Sequence, residues 1–337
     1  MKAAVLYAPY DLRIEDRPMP SPDRGWVTIS VEAAGICGTD ISVYEGKHSA
    51  SLPRVLGHEF CGRILAIGDE VHGLEPGQRV MAEGSWCGDE QHDTDESTHD
   101  PCINHQALGR TVDGCFSEAV AVPSGTVHLL PNTVKATEAQ SVTTLATAVR
   151  AVRRAGELAH KHVAIVGPGH AGLLLLQVCL VFGAQGVAVV GTRENRLQVA
   201  KQLGAESTSN IRLPSHKTWL QEPANRDFDV VFEASGTASG LATCFELARK
   251  GGRIVSYGII SGPLDSVPGQ EIYSKELTIL GSRGAEGCYE EAIRLLASGL
   301  ISVEPLITHV IPIQNAEEGF TIATQRLQDA LRIVFVP

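Results

Sequence analysis

Up to residue 146 the apolar positions come in short β-type runs: Met1–Tyr7, Trp26–Ala34, Arg63–Ile67, Gln78–Met81 and Ser117–Val122. Gly, Pro and Asp divide them, a punctuation that predicts a compact β-rich domain over residues 1–146. Gly84–Gln106 breaks the pattern, being acidic, rich in His and nearly free of large apolar side chains. A segment that can bury so little is expected to form an exposed lobe over 84–106.

From residue 147 the pattern changes. Val163–Gly167 is a continuous apolar run, followed by a Gly-rich turn and the apolar stretch Gly172–Phe182. Val187–Gly191 comes next, and then Glu194–Gly204, where Leu197, Ala200 and Leu203 recur at helical spacing. Phe228–Phe232, Arg253–Tyr257 and Leu277–Leu280 read as further strands, alternating with helices near 238–250 and 287–299. Continuous apolar strands between helices predict a parallel sheet covered on both faces, here over 147–282. Residues 283–337 return to β-type runs, His309–Ile313 and Leu331–Val336. The fold class is therefore α/β, a doubly wound domain inserted into a β-rich one.

A length of 337 residues suits two domains. With 43% apolar and 20% charged residues the composition is that of a globular protein. The net charge of −11 leaves no excess of cations to displace phosphate counterions, so nucleic acid is not an expected partner. The longest apolar run, Ala171–Gly183, is interrupted by Gln177 and falls short of the ~20 residues a membrane span needs. The first residues lack a charged-then-apolar signal pattern, and the expected location is cytoplasmic. Eight scattered cysteines argue against a disulfide scaffold. Cys61, Cys115, Cys179, Cys244 and Cys288 are expected to be packing residues.

Gly167-Pro-Gly169-His170-Ala171-Gly172 fits G-x-G-x-x-G directly after a strand and at the start of a helix. The first Gly permits the tight turn, the second lets a pyrophosphate approach the backbone, and the third lets helix and strand pack closely. The free N–H groups of the helix start then receive the phosphates. The second strand ends at Gly191-Thr192-Arg193, where an NAD site would offer an acid to the ribose 2′-hydroxyl. Without that acid, Arg193 and Arg196 can pair with a 2′-phosphate and Thr192 can donate to it, which favours NADP(H) over NAD(H). The plainer alternative is that Arg193 is a solvated residue at a helix start and the cofactor is NAD.

Gly35-Ile-Cys37-Gly-Thr39-Asp40 precedes Gly57-His58-Glu59 by about twenty residues. Cys and His are preferred zinc ligands, and Asp40 has the chemistry to orient His58 through its second ring nitrogen. With Pro76-Gly-Gln-Arg-Val80, Gly167–Gly172 and Leu306-Ile-Thr-His309, these segments follow one another in a familiar order. The chain resembles the zinc-containing medium-chain alcohol dehydrogenases along essentially its whole length, especially their polyol and threonine dehydrogenase branch. The resemblance implies a GroES-like catalytic domain around a Rossmann domain, with the active site in the cleft between them. It implies a catalytic zinc on Cys37 and His58, with Glu59 either an alternate ligand or a supporting carboxylate. Thr39 would pass on the hydroxyl proton, Arg150 would either meet a polar substrate or form a surface ion pair, and the protein would be a homodimer or homotetramer. Glu233–Gly236, Tyr257-Gly258 and Gly281-Ser-Arg resemble segments that line the nicotinamide, with simple strand ends as the equal alternative.

Three departures from the family pattern bear on function. The expected third zinc ligand falls on Thr143, whose neutral hydroxyl binds zinc poorly, so the metal would be held weakly. The lobe that normally carries four Cys keeps only Cys87 and Cys102, with Glu90, Asp93, His92, His99 and His105 nearby; a metal-free loop is expected over a rebuilt metal site. The relay His is replaced by Ser42, which can pass a proton through water but cannot hold one near neutral pH. The leading expectation is a zinc-dependent oxidoreductase moving a hydride between NADP(H) and a secondary alcohol, polyol-like or amino-alcohol-like, and its ketone. Thr143 keeps alive an NADPH-dependent reductase of a conjugated or iminium substrate with weak or absent zinc. A non-catalytic NADP-binding protein is a third class, opposed by the presence of Cys37, Thr39, His58 and Glu59 together.

Overall fold

The computed structural model describes residues 1–88, 104–260 and 267–337. It divides into two compact units, Met1–Thr143 with Ile307–Pro337, and Thr144–Leu306. No described helix is long and apolar enough to cross a membrane.

The first unit begins with β1 (Lys2–Ala8), β2 (Asp11–Asp16), β3 (Trp26–Gly35), α1 (Gly38–Tyr44), β4 (Arg54–Val55), β5 (Phe60–Ile67) and β6 (Arg79–Ala82). It continues with β7 (Ser85–Cys87), β8 (His105–Ala107), β9 (Ala119–Pro123), β10 (Val127–Leu129) and α2 (Ala136–Ala139). Helix α3 (Val142–Ala155) opens at the unit boundary.

The second unit holds β11 (His162–Val166), α4 (His170–Val181), β12 (Gly186–Gly191), α5 (Glu194–Gln202), β13 (Ser207–Asn210) and α6 (Ser215–Gln221). After them come β14 (Phe228–Glu233), α7 (Ala238–Leu247), β15 (Ala248–Ser256), α8 (Gly269–Lys275), β16 (Thr278–Gly281) and α9 (Tyr289–Ala297). The chain then returns to the first unit with β17 (Ile307–Pro312), α10 (Ala316–Gln325) and β18 (Arg332–Val336).

Among the described residues, β3 is the hub of the first unit's seven-stranded sheet, pairing with β5, β9 and β18. Its inward positions, including Val27, Ile29 and Val31, are buried, as are Phe60 and Ile64 of β5. Phe320 of α10, Phe335 of β18 and Phe116 pack together, with Phe116 and Phe335 edge-to-face at 5.0 Å between ring centroids. The pairing of Ala34 with Phe60 sets the ends of β3 and β5 side by side, and the Gly35 N–H donates to the Glu59 carbonyl at 2.8 Å. That register, rather than anything local, makes neighbours of Cys37 and His58.

Among the described residues, the second unit holds a six-stranded sheet in the order β13-β12-β11-β14-β15-β16, each neighbouring pair parallel. Strands β11, β12 and β14 are buried along nearly their whole length, as a sheet covered by helices on both faces requires. The strand order reverses between β11 and β14, and sheets of this kind bind ligands outside the carboxyl ends at such a point.

The chain rejoins the first unit at Ile307, later than the expected 283, and the second unit starts at Thr144 within α3 rather than at 147. Composition over 283–306 does not mark the boundary because partners distant in sequence decide it. The Gln177 side chain of α4 accepts from the Ser302 N–H at 2.7 Å and donates to its carbonyl at 3.0 Å. Arg153 pairs with Glu291 at 2.5 Å, and one face of α9 is buried.

Of the expected lobe, only its base is described: β7 pairs with β8 in an antiparallel ribbon. Cys87, at the end of β7, is disulfide-bonded. Cys102, Glu90, Asp93, His92 and His99 lie outside the described residues.

Candidate metal centre and dinucleotide site

Cys37 follows the end of β3 and caps α1. Its N–H donates to the Asp40 carboxylate at 2.9 Å, closing the first turn reciprocally. The other Asp40 oxygen meets His58 Nδ1 at 3.2 Å. One buried carboxylate therefore caps the helix and orients the imidazole. Burial disfavours a charged His58 ring, but the charge and hydrogen bond of Asp40, together with Cys37, outweigh it and hold the ring's proton well above the ordinary histidine range. Thr39, two residues on, brings its hydroxyl to 4.0 Å from the Cys37 sulfur.

Glu59 is buried, and behind it lies an ion pair the sequence reading missed. Arg332 of β18, 2% exposed, bonds the Glu59 carboxylate and the Gln140 side-chain oxygen and donates to the Ile36 carbonyl at 2.8 Å. Gly35 is required beside it, since a Cβ there would fall on the guanidinium. An arginine inside the apolar run Leu331–Val336 was the available signal, because a buried cation in a strand must have a partner.

A Cys37 sulfur, a His58 ring nitrogen and a Glu59 carboxylate oxygen lie within 4.8 Å of one another. Thiolate, imidazole and carboxylate on one small cluster suit zinc. Thr143 is buried and its hydroxyl makes no hydrogen bond in the structure. The Thr39 and Ser42 hydroxyls, expected to share a proton path, are not bonded directly to each other. Ser42 Oγ donates to the Gly38 carbonyl at 3.0 Å, the local alternative an i−4 carbonyl offers any helical serine, and no hydrogen bond joins the two hydroxyls.

In the second unit, the glycine turn sits between β11 and α4. Gly167 has φ +116°, and a Cβ on it would lie 2.6 Å from the Ser235 N. A Cβ on Gly172 would fall on the Gly167 carbonyl oxygen, whereas one on Gly169 would meet nothing within 4 Å. Two of the glycines thus serve packing, and the middle one leaves an approach open. Gly169 is the N-cap of α4, which begins with His170 and Ala171. Thr192 and Arg193 lead from β12 into α5, and Arg196 lies in the first turn of that helix.

Beside the turn, Glu233 ends β14 fully buried. Its Oε1 accepts from the Ser235 N–H at 2.8 Å, the Ser235 hydroxyl at 2.5 Å and the Gly236 N–H at 3.0 Å. Its carbonyl accepts from the N–H groups of Tyr257 at 2.9 Å and Gly258 at 2.7 Å, so one residue fixes both loops. Tyr257 is further anchored by its hydroxyl, 2.8 Å from Thr147 Oγ1. Arg150 forms an ion pair with Glu286 at 3.2 Å, the second of its two expected roles.

A doubly wound nucleotide-binding sheet in the same chain as a Cys/His/Glu donor cluster is the construction of a zinc-type dehydrogenase. Residues 23–132 match the alcohol dehydrogenase GroES-like domain and residues 171–298 the zinc-binding dehydrogenase family. Sorbitol dehydrogenase 2 of Saccharomyces cerevisiae is 32% identical, over 94% of this chain and 93% of that protein. A zinc-binding dehydrogenase of Sinorhizobium meliloti 1021, solved bound to NADP, has a TM-score of 0.93 and 27% identity, covering 100% of this chain and 99% of the other. An alcohol dehydrogenase of Escherichia coli CFT073, solved with NADH, has a TM-score of 0.91 and 29% identity, with 100% and 99% covered. The chain belongs to the zinc-containing medium-chain alcohol dehydrogenase family, in its polyol and threonine dehydrogenase branch. It is an alcohol oxidoreductase of the zinc and nicotinamide type that acts on small molecules.

Proposed function

We propose that the protein interconverts a secondary alcohol, polyol-like or amino-alcohol-like, and its ketone with NADP(H). The observation that carries this reading is the sulfur, nitrogen and oxygen donor set of Cys37, His58 and Glu59 within 4.8 Å. Bound zinc supplies Lewis acidity and bound nicotinamide supplies the hydride chemistry. Cys37 and His58 hold the metal. Asp40 engages His58 Nδ1 and so leaves Nε2 as the ligating nitrogen. Glu59 is the third protein donor, taking the place that Thr143 cannot fill. Thr39 accepts the proton of the alcohol's hydroxyl and passes it on to water.

The N–H groups of the Gly167–Gly172 turn receive the pyrophosphate, and Thr192, Arg193 and Arg196 receive the 2′-phosphate. The absence of an acid at the end of β12 supports NADP(H) over NAD(H). A homodimer or homotetramer fits the exposed edge strand β16, where Ile279 is 43% exposed.

Elemental mass spectrometry on wild type and Cys37→Ser, followed by an alcohol and ketone screen with each cofactor, tests the proposal. About one zinc per chain, lost in the variant, is expected. Wild-type protein that is active without zinc would overturn the reading in favour of an NADPH-dependent reductase of conjugated or iminium substrates.

A further inference from the structure

We infer that Arg212, on the strand next to β12, is a specificity-determining residue that grips the 2′-phosphate of NADP(H). The inference rests on the NADP(H) reading above and extends it to a residue outside the glycine turn and α5.

Strands β12 and β13 are parallel neighbours in which Gly191 pairs with Asn210. The ladder runs one bond further, the Ile211 N–H donating to the Gly191 carbonyl at 2.9 Å. Thr192-Arg193 and Ile211-Arg212 therefore leave the same carboxyl edge of the sheet side by side, about 5 Å apart at the strand ends. The glycine turn lies against the same spot, because a Cβ on Gly191 would meet the Pro168 ring at 2.5 Å. A dinucleotide whose pyrophosphate sits on the Gly167–Gly172 turn thus carries its adenosine ribose across the ends of β12 and β13.

The Arg212 backbone is fixed: its N–H donates to the Asn210 side-chain oxygen at 3.1 Å, an Asx turn of the kind that holds a chain two residues on. Its side chain is exposed, and its guanidinium makes no hydrogen bond or ion pair among the described residues. The neighbouring acid, Glu194, is engaged by Asn210 Nδ2 and Gln198 Nε2, each at 3.4 Å. In a chain of net charge −11, an arginine held at this edge beside Arg193 and Arg196, with its fork unengaged, suits bidentate recognition of a phosphate dianion.

Isothermal titration of 2′,5′-ADP and 5′-AMP into wild type, Arg212→Ala, Arg212→Lys and Arg193→Ala separates the possibilities. Wild type is expected to bind 2′,5′-ADP at least tenfold more tightly than 5′-AMP. Arg212→Ala should weaken 2′,5′-ADP about tenfold and leave 5′-AMP within twofold, and Arg212→Lys should recover part of the loss. If wild type discriminates and Arg193→Ala abolishes the discrimination while Arg212→Ala does not, the phosphate belongs to the β12–α5 junction alone and the inference falls with the NADP(H) reading intact. If wild type does not discriminate, the NADP(H) reading itself falls, and the inference with it.

Discussion

Replacing Arg332 with methionine should cost more stability than any surface change in the molecule. Arg332 is 2% exposed and Glu59 3% exposed, so neither charge has water to fall back on. The substitution leaves a buried carboxylate without its cation and also strips a donor from the Ile36 carbonyl. Breaking a buried pair by removing one partner costs about 3–5 kcal/mol. Against a total stability of about 5–15 kcal/mol, that is a large share. Replacing Glu59 as well, by leucine, removes the stranded charge, so the double variant should recover much of the loss. A coupling energy of at least ~2 kcal/mol is expected for residues that share one network. Guanidinium unfolding followed by circular dichroism, with chelator present so that metal binding does not add to the native state, measures all four corners of the cycle. A single-variant cost below ~1 kcal/mol with no coupling would refute the reasoning, since Glu59 would then need no partner to remain buried.

The middle and last glycines of the turn make a paired prediction. Gly172→Ala should lower the melting temperature by several degrees, because its Cβ has no room beside the Gly167 carbonyl, while Gly169→Ala should melt as wild type yet bind NADP(H) at least tenfold more weakly. Calorimetry and cofactor titration read these two effects separately. Brief alkylation of metal-free protein with iodoacetamide, followed by peptide mass mapping, should modify Cys37 first among the free cysteines described. Burial raises the Cys61 thiol to about 12 and pushes those of Cys115, Cys179, Cys244 and Cys288 up as well, and bound zinc should protect Cys37. Rapid labelling of a buried cysteine ahead of Cys37 would contradict this order. Asp229 gives the pH dependence. Burial works against its charge, but hydrogen bonds from Arg249 and the His162 N–H hold its carboxyl below the usual range. Its contribution is complete above about pH 4, the unfolded value, and is lost as pH falls through the lower folded value. Urea unfolding should therefore show Asp229→Ala less stable than wild type by about 1–2 kcal/mol at pH 7, with the gap closing in acid.

The sequence by itself determined the elements whose pattern is local. The runs Val163–Val166, Val187–Val190 and Phe228–Phe232 are continuous because a covered parallel strand is apolar on both faces, and the structure has them as β11, β12 and β14. The glycine turn was legible for the same reason, since tight turns and close approaches are written in residue type. Cys37, Asp40, His58 and Glu59 could be singled out by chemistry and by family order. Only tertiary structure brought them within reach of one another, through the β3–β5 register that sets Gly35 against Glu59.

What hydrophobic pattern does not encode is which distant polar group satisfies a buried one. Arg332 reaches Glu59 across 273 residues, and Gln177 clamps Ser302 across 125. The first pair stands behind the Cys37, His58 and Glu59 cluster, and the second ties the segment before Ile307 to α4 in the second unit. An arginine inside an apolar strand signals that a partner exists but not which one, because a buried ion pair or amide clamp is a property of the space between elements. The same holds for Arg212, an ordinary exposed arginine in the sequence. It gains a meaning only because parallel pairing of β12 with β13 brings the two strand ends together.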